Sequence, residues 1–228
     1  MKEHEQSPAA RGLDTPQETE KNTEQKKDPE HSVIALVGPI AAGKGTVAEL
    51  LIKRGYVSVN YGDVIYEERT KRGLKEERKN SHAVAASLRV EFGNDIIARR
   101  IDESVRKLRD QNLGNKILID GLRHPDEVNW VRSNLGAVII GITANPEIRY
   151  QRAVKRNRLV DPKSPEGFAE VDEEDRGVNS PEFGNQTDAC IQLADIIVEN
   201  NDEDVQGYII RFNLALQQLG IKEDSSKI

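Results

Sequence analysis

"VGPIAAGKGT", Val37 to Thr46, decides how the rest of the chain is read. Gly38 and Gly43 have four residues between them, and Lys44 follows at once. That is the spacing of a turn whose backbone amides wrap phosphate oxygens while a lysine supplies a point charge to the β- and γ-phosphates. Ala41 and Ala42 are small enough to let the backbone curl tightly. One position departs from the usual pattern. Such turns carry Ser or Thr after the lysine to ligate magnesium, and here Gly45 stands there, with Thr46 one place later. The flanks support the reading. "SVIALVG" (32–38) is a continuous apolar run, suited to a strand buried on both faces. "KGTVAELLIKRG" (44–55) sets Val47, Leu50 and Leu51 on one helical face and stops at Gly55. A turn between such a strand and such a helix aims its amides and the helix N-terminus at an anion.

Outward from this turn, strand and helix patterns alternate. "YVSVN" (56–60), "KILID" (116–120), "AVIIGIT" (137–143) and "ADIIVEN" (194–200) read as further strands. Helices are predicted near 63–72, 80–92 and from Asp95, then at 125–136 behind Pro125, after Asn145–Pro146, and last over Val205–Leu219. Strands separated by helices give an α/β fold: a five-stranded parallel sheet with helices on both faces and ligands at the carboxyl ends of the strands. The stretch of about 157–188 is rich in Arg, Asp, Glu, Pro and Gly. It is expected to be a lid or a disordered insert without its own core.

The 228 residues are 36% hydrophobic and 32% charged, which suits one domain of about 32–222 plus an extension. Residues 1–31 contain no Val, Ile, Phe, Tyr or Trp and are expected to form a disordered charged tail. The tail lacks the apolar core of a signal peptide, and no later run is long enough to span a membrane. Net charge is -6, which argues against a broad nucleic-acid surface. The one cysteine, Cys190, leaves no disulfide framework and no cysteine-based zinc site. A cytoplasmic protein without membrane or nucleic-acid partners is the expectation.

Several further residues fit phosphoryl transfer. Asp120 is expected to end the third strand at the same sheet edge as the glycine turn, where an acid can orient hydrated magnesium. Asp63 follows the second strand and either caps the next helix or faces the acceptor. Arg149, Arg152 and Arg156 share one helical face, and planar guanidinium groups match phosphate oxygens in pairs. Arg89 and Arg123 are candidates for holding the acceptor. His124 is assigned to local structure before Pro125. Arg176, among acidic neighbours, stays outside the catalytic set.

The Gly-Lys-Gly-Thr ending resembles the loop of nucleoside monophosphate kinases such as adenylate kinase. That resemblance implies that magnesium is held mostly through water and that Thr46 binds phosphate. "YGDVIYEERTKRGL", "SLRVEFG", "ILIDGLRHPDEV", "RYQRAVKRNRLVDP", "FAEVDEED" and "ACIQLADIIVEN" follow in order. Together, over about 33–200, they resemble a branch of kinase-like P-loop proteins related to nucleoside monophosphate kinases and dephospho-CoA kinase. In some proteins that domain is joined to a deoxycytidylate-type deaminase, whose zinc pattern this chain lacks. Animal phosphomevalonate kinase is similar more distantly.

The resemblance implies a three-layer P-loop NTPase fold with a helical acceptor insert near 61–112 and a lid near 157–188. It implies ATP and Mg2+ as cofactors and a small phosphorylated acceptor, with a (deoxy)nucleoside monophosphate foremost. It makes Gly38, Ala41, Ala42, Gly43, Lys44, Gly45 and Thr46 the nucleotide-binding residues. Lys44, Asp120, Arg152 and Arg156 are then catalytic, Asp120 holds the metal through water, and Asp63, Arg89 and Arg123 bind the acceptor. Two departures stand out. Tyr66 occupies the place of an arginine, and Arg123 comes earlier after Asp120–Gly121 than the kinases' arginine does. Dephospho-CoA or another metabolite remains an alternative acceptor. A nucleotide sensor that passes its state to a protein partner remains an alternative to an enzyme.

Overall fold

The computed structural model describes Met1 and residues 32–158, 161–178, 180–202 and 204–221. The expected disordered tail, beyond Met1, lies outside the described residues. The elements run β1 (Val33–Val37), α1 (Lys44–Lys53), β2 (Val57–Asn60), α2 (Tyr61–Lys71), α3 (Arg78–Phe92), α4 (Ile96–Asp110), β3 (Ile117–Leu122), α5 (Pro125–Leu135), β4 (Val138–Thr143), α6 (Pro146–Arg156), α7 (Pro165–Arg176), α8 (Thr187–Gln192), β5 (Ile196–Glu199) and α9 (Val205–Gln218). The five strands form one sheet in the order β2-β3-β1-β4-β5. All its pairings are parallel.

The central strand explains the layering. Every residue of β1 is buried, and successive side chains point to opposite faces. Val33, Ala35 and Val37 join Ile117, Ile119 and Ile139 under α2, α3, α4, α5 and α8. Ile34 and Leu36 join Leu118, Ile140, Ile142 and Val198 under α1 and α9. This is the three-layer α/β fold that the strand and helix patterns imply, with a P-loop at the end of β1. Among the described residues no helix is long and apolar enough to cross a membrane.

Two expectations change. First, β3 continues past Asp120 to Leu122. The register slips between Leu36 and Val37, which pair with Asp120 and Leu122. Gly121 is skipped and adopts φ 93, a conformation that favours glycine. The Asp-Gly pair is thus a bulge inside a strand, and bulges re-aim side chains beside active sites. Second, the stretch 157–188 is not coreless. Ser164 accepts a bond from the Gly167 amide (3.1 Å), Pro165 opens α7, and Gly177 ends it in the left-handed region. Phe168 packs with Ile40 and Ala153 as a small third core. The helical segment expected near 61–112 is α2, α3 and α4. All three put residues into the main core, Val64 and Ile65 from α2, Val84 and Leu88 from α3, and Ile97, Ile101 and Val105 from α4, and α2 and α3 also reach the carboxyl edge of the sheet.

Candidate functional site

A cleft of about 1220 Å³ opens at the carboxyl ends of β1, β2 and β3. It runs from the glycine turn and β5–α9 residues, past Asp120 and Arg123, to α2 and α3. The turn that begins it is shaped by backbone geometry. Gly38 has φ 151 and Gly43 φ 113, and Ala41 is left-handed at φ 58. A Cβ on Gly38 would lie 2.2 Å from the Ile142 carbonyl oxygen, and one on Gly43 would lie 2.2 Å from Asn200 Nδ2. Both positions therefore need glycine. Gly43 is also the N-cap of α1 and provides no side-chain cap, and the first turn of α1 carries no acid. The first amides of α1 are left to accept an anion.

Asn200, at the end of β5, locks the turn. Its Nδ2 donates to Ala42 O (2.8 Å), and Tyr208 Oη donates to Gly43 O (3.2 Å). Arg152 in turn grips Asn200, donating to its carbonyl (2.9 Å) and to its Oδ1 (3.2 Å), and reaches Asp202 O (3.0 Å). Asn200 and Tyr208 were not singled out in the sequence. The pattern "VEN" at a strand end gave a weak signal for the first and none for the second.

Lys44 folds back onto the turn, donating to Gly38 O (2.6 Å) and Pro39 O (3.1 Å). Burial, and then the nearby Arg123 guanidinium, push its pKa down to about 8. Asp120 lines the cleft on the next strand, and its Oδ1 is buried without a hydrogen-bond partner. An orphaned carboxylate oxygen beside a phosphate turn fits a hydrated magnesium ion, whose waters would supply the missing donors. Thr46, Gly45, Ala41 and Ala42 also line the cleft, as does Asp63. Asp63 is not the helix cap. Asn60 holds that place, and Asp63 lies exposed in the first turn of α2, 3.4 Å from Asn60 Nδ2.

The arginines separate into two groups. Arg123, Arg152 and Arg156 line the cleft, together with Arg69 and Arg78, which the sequence reading passed over. Arg69 lies one turn after exposed Tyr66, with its guanidinium 5.3 Å from that ring. It brings positive charge near the position where the kinases carry an arginine. Arg89 does not line the cleft, which corrects the expectation that it holds the acceptor. Its guanidinium is fully buried and bonds Glu127 Oε1 (2.8 and 3.2 Å), Tyr61 Oη (2.9 Å) and the carbonyls of Phe183 and Gly184 (both 3.1 Å). Burial acts to lower its pKa, but Glu127 and Tyr61 together outweigh that and leave it raised. Arg149 is likewise buried, against Asp172 and over the Phe168 ring, and anchors α7.

Glu127 links this buried network to the site. Its Oε2 accepts from the amides of Arg123 (2.9 Å) and His124 (3.1 Å). His124 caps α5 by accepting from the Asp126 amide (3.2 Å), and so serves local structure as expected. Arg123 is then aimed by three contacts: its fixed amide, the Tyr61 ring 5.6 Å from its guanidinium, and the Asp175 carboxylate of α7.

Parallel strands in this order, with a glycine turn shaped to cradle an anion ahead of a helix, define a kinase-like P-loop nucleotide-binding fold. Comparison with known proteins gives the family. A model described as an AAA domain matches residues 34–176. The chain is 35% identical over 171 residues to the UPF0200 protein of Methanosarcina barkeri, spanning 74% of this chain and 86% of that one. It is 34% identical over 170 residues to the UPF0200 protein of Methanocaldococcus jannaschii, spanning 74% and 81%. The chain belongs to the UPF0200 family. Among solved structures it resembles a protein from Eubacterium ventriosum with a TM-score of 0.52 at 13% identity, over 85% of this chain and 100% of that one. A dephospho-CoA kinase from Campylobacter jejuni aligns with a TM-score of 0.47 at 18% identity, over 83% and 97%.

Proposed function

We propose that this protein transfers the γ-phosphate of ATP to a small phosphorylated acceptor, foremost a nucleoside or deoxynucleoside monophosphate. The observation that carries the reading is the continuity of the cleft. One cavity joins the glycine turn and Lys44 to a wall of arginines on α2, α3 and the end of β3, and Asp120 lies between them. Two anionic ligands fit end to end in such a space. Phosphoryl transfer asks for that alignment and for positive charge around the transferring group, with little covalent help from the protein.

The turn amides and the N-terminus of α1 bind the donor phosphates. Lys44 leaves the Gly38 and Pro39 carbonyls to follow the charge that builds between donor and acceptor. Asp120 would hold magnesium through water, where the ion would supply charge neutralisation on the donor phosphates. Arg123 spans the join. Arg152 acts on the donor side both directly and by fixing Asn200. Arg156 approaches from the end of α6. A phosphate acceptor needs no general base, because its attacking oxygen is already anionic. A sugar hydroxyl, as in dephospho-CoA, needs one, and Asp63 is an exposed carboxylate on that wall.

The test is ADP release from Mg-ATP with the four ribo- and four deoxynucleoside monophosphates and dephospho-CoA, with Lys44→Ala as control. One acceptor that raises the rate well above background supports the kinase and names its substrate. A flat panel with ATP still bound refutes transfer and supports a nucleotide sensor. A Lys44→Ala protein with full turnover refutes the site.

A further inference from the structure

The cleft arginines meet two buried carboxylates that neither the nucleotide site nor the core requires. Asp161 is buried and pairs with Arg156 through both oxygens (2.6 and 2.9 Å) while also accepting from Arg78 (3.1 Å). Asp175, on α7, is fully buried and pairs with Arg123, and its Oδ1 accepts from Asn185 (3.1 Å). The fit is incomplete on both sides. Arg78 Nε is buried without an acceptor, and Asp175 Oδ2 is buried without a donor. Three guanidinium groups from three elements (α3, the end of β3, and α6) thus share two carboxylates, both from the segment 157–188.

The groups act on one another as one cluster. Burial lowers the Arg78 pKa, and Arg123, Asp175, Asp161 and Arg156 all bear on it. Burial works to raise the Asp161 carboxyl, but Arg156 and Arg78 overcome it and hold the pKa down. A carboxylate bound by two guanidinium forks presents oxygens much as a phosphate does, with one fewer oxygen and less charge.

We propose that Arg78, Arg123 and Arg156 form one phosphate-binding site for which the lid carboxylates Asp161 and Asp175 compete with the ligand. This rests on the reading that the cleft takes phosphorylated molecules. Arg78 is then a binding residue for the acceptor phosphate. Asp161 and Asp175 are internal anions that the phosphate displaces, so that binding frees α7 from the cleft. Competition of this kind lowers affinity by the fraction of molecules in which the arginines are free. It also rejects weakly charged acceptors, which cannot outbid a carboxylate for a guanidinium.

The sign of a charge-removing substitution separates this from a structural role. Inorganic phosphate is titrated calorimetrically into the full-length protein saturated with magnesium and a non-hydrolysable ATP analogue. Asp161→Asn and Asp175→Asn are expected to tighten phosphate binding by about threefold to tenfold, as for a competent state populated a third to a tenth of the time. Arg78→Ala is expected to weaken it at least tenfold. Unchanged or weaker binding in Asn variants with a wild-type circular dichroism spectrum overturns the proposal. Should those variants not fold, hydrogen exchange of the α7 amides in the wild-type protein decides. Phosphate is expected to accelerate it, and slower or unchanged exchange overturns the proposal. Failure of the ATP analogue to bind refutes the phosphoryl-transfer reading instead, and the Asn variants still report the competition.

Discussion

Replacing Arg89 by Met tests whether a buried charge network, rather than the acceptor, is what this arginine serves. The side chain has no exposure, and neither has its partner Glu127. Arg89→Met keeps roughly the volume of the stem but leaves the Glu127 carboxylate, the Tyr61 hydroxyl and the Phe183 and Gly184 carbonyls short of donors. Breaking a buried ion pair from one side costs about 3–5 kcal/mol, because the remaining charge stays desolvated. Glu127 keeps the Arg123 and His124 amides, which places this case toward the lower end, about 3 kcal/mol. For a domain of this size each kcal/mol lowers Tm by about 2–4 °C, so a fall of about 6–12 °C is expected. Thermal unfolding by circular dichroism, with Trp130 fluorescence as a second probe, measures it. Adding Glu127→Gln removes the stranded charge and is expected to recover at least about 1 kcal/mol. A loss below about 1 kcal/mol in the single variant, or no recovery in the double, would refute the reasoning. It would return Arg89 to the acceptor site.

Three further outcomes follow from the cleft. Gly43→Ala, whose Cβ would meet Asn200 Nδ2 at 2.2 Å at a positive φ, is expected to abolish ATP binding, whereas Gly45→Ala has nothing within 4 Å and is expected to leave binding intact; equilibrium binding of a fluorescent ATP analogue compares them. Lys44 loses its proton near pH 8 in the folded protein and near 10.5 when unfolded, so between those values the unfolded chain binds more protons and stability rises with pH, while ATP affinity falls above about pH 8. The same titration with Lys44→Ala should show neither slope. Arg152→Ala frees Asn200 and the turn it holds, and is expected to raise the KM for ATP more than that for the acceptor in steady-state kinetics.

The glycine turn was legible because it is written in short-range chemistry. Gly38, Gly43 and Lys44 have geometric duties that any chain of this kind must meet within ten residues. The three inner strands were legible for a similar reason, since a strand buried on both faces admits few polar residues, while β2 and β5 at the sheet edges are only part-buried. Asp120 was placed at the right edge, but the bulge at Gly121 was not foreseen, because a register slip depends on how two distant strands pair. Arg89 and Arg78 show the limit more sharply. Both are arginines near the start or end of one helix, and composition does not tell which one faces inward. The difference is set by Glu127, 38 residues from Arg89, and by Asp161, 83 residues from Arg78. The helix α7 was missed although its signals were present. "SPEGF" at its start and Gly177 at its end mark caps, but the density of acids between them masked a face with one buried aromatic ring.

The two sides of the cleft are held by different forces. The wall formed by β1, α1 and α9 rests on an apolar core. The segment around α7 rests on Phe168 and on pairs of opposite charge, Arg149 with Asp172, Arg123 with Asp175 and Arg156 with Asp161, and Arg176 with Asp188 braces it internally. Apolar contacts weaken on cooling. The cost of stripping water from paired charges falls on warming. The α7 segment is therefore fastened relatively more firmly in hot water than in cold, while the wall of β1, α1 and α9 follows the ordinary dome of a folded core. A climate-dependent stiffness of this kind puts the loosening of the α7 segment with temperature under the control of a handful of aspartates, separately from the melting point of the domain.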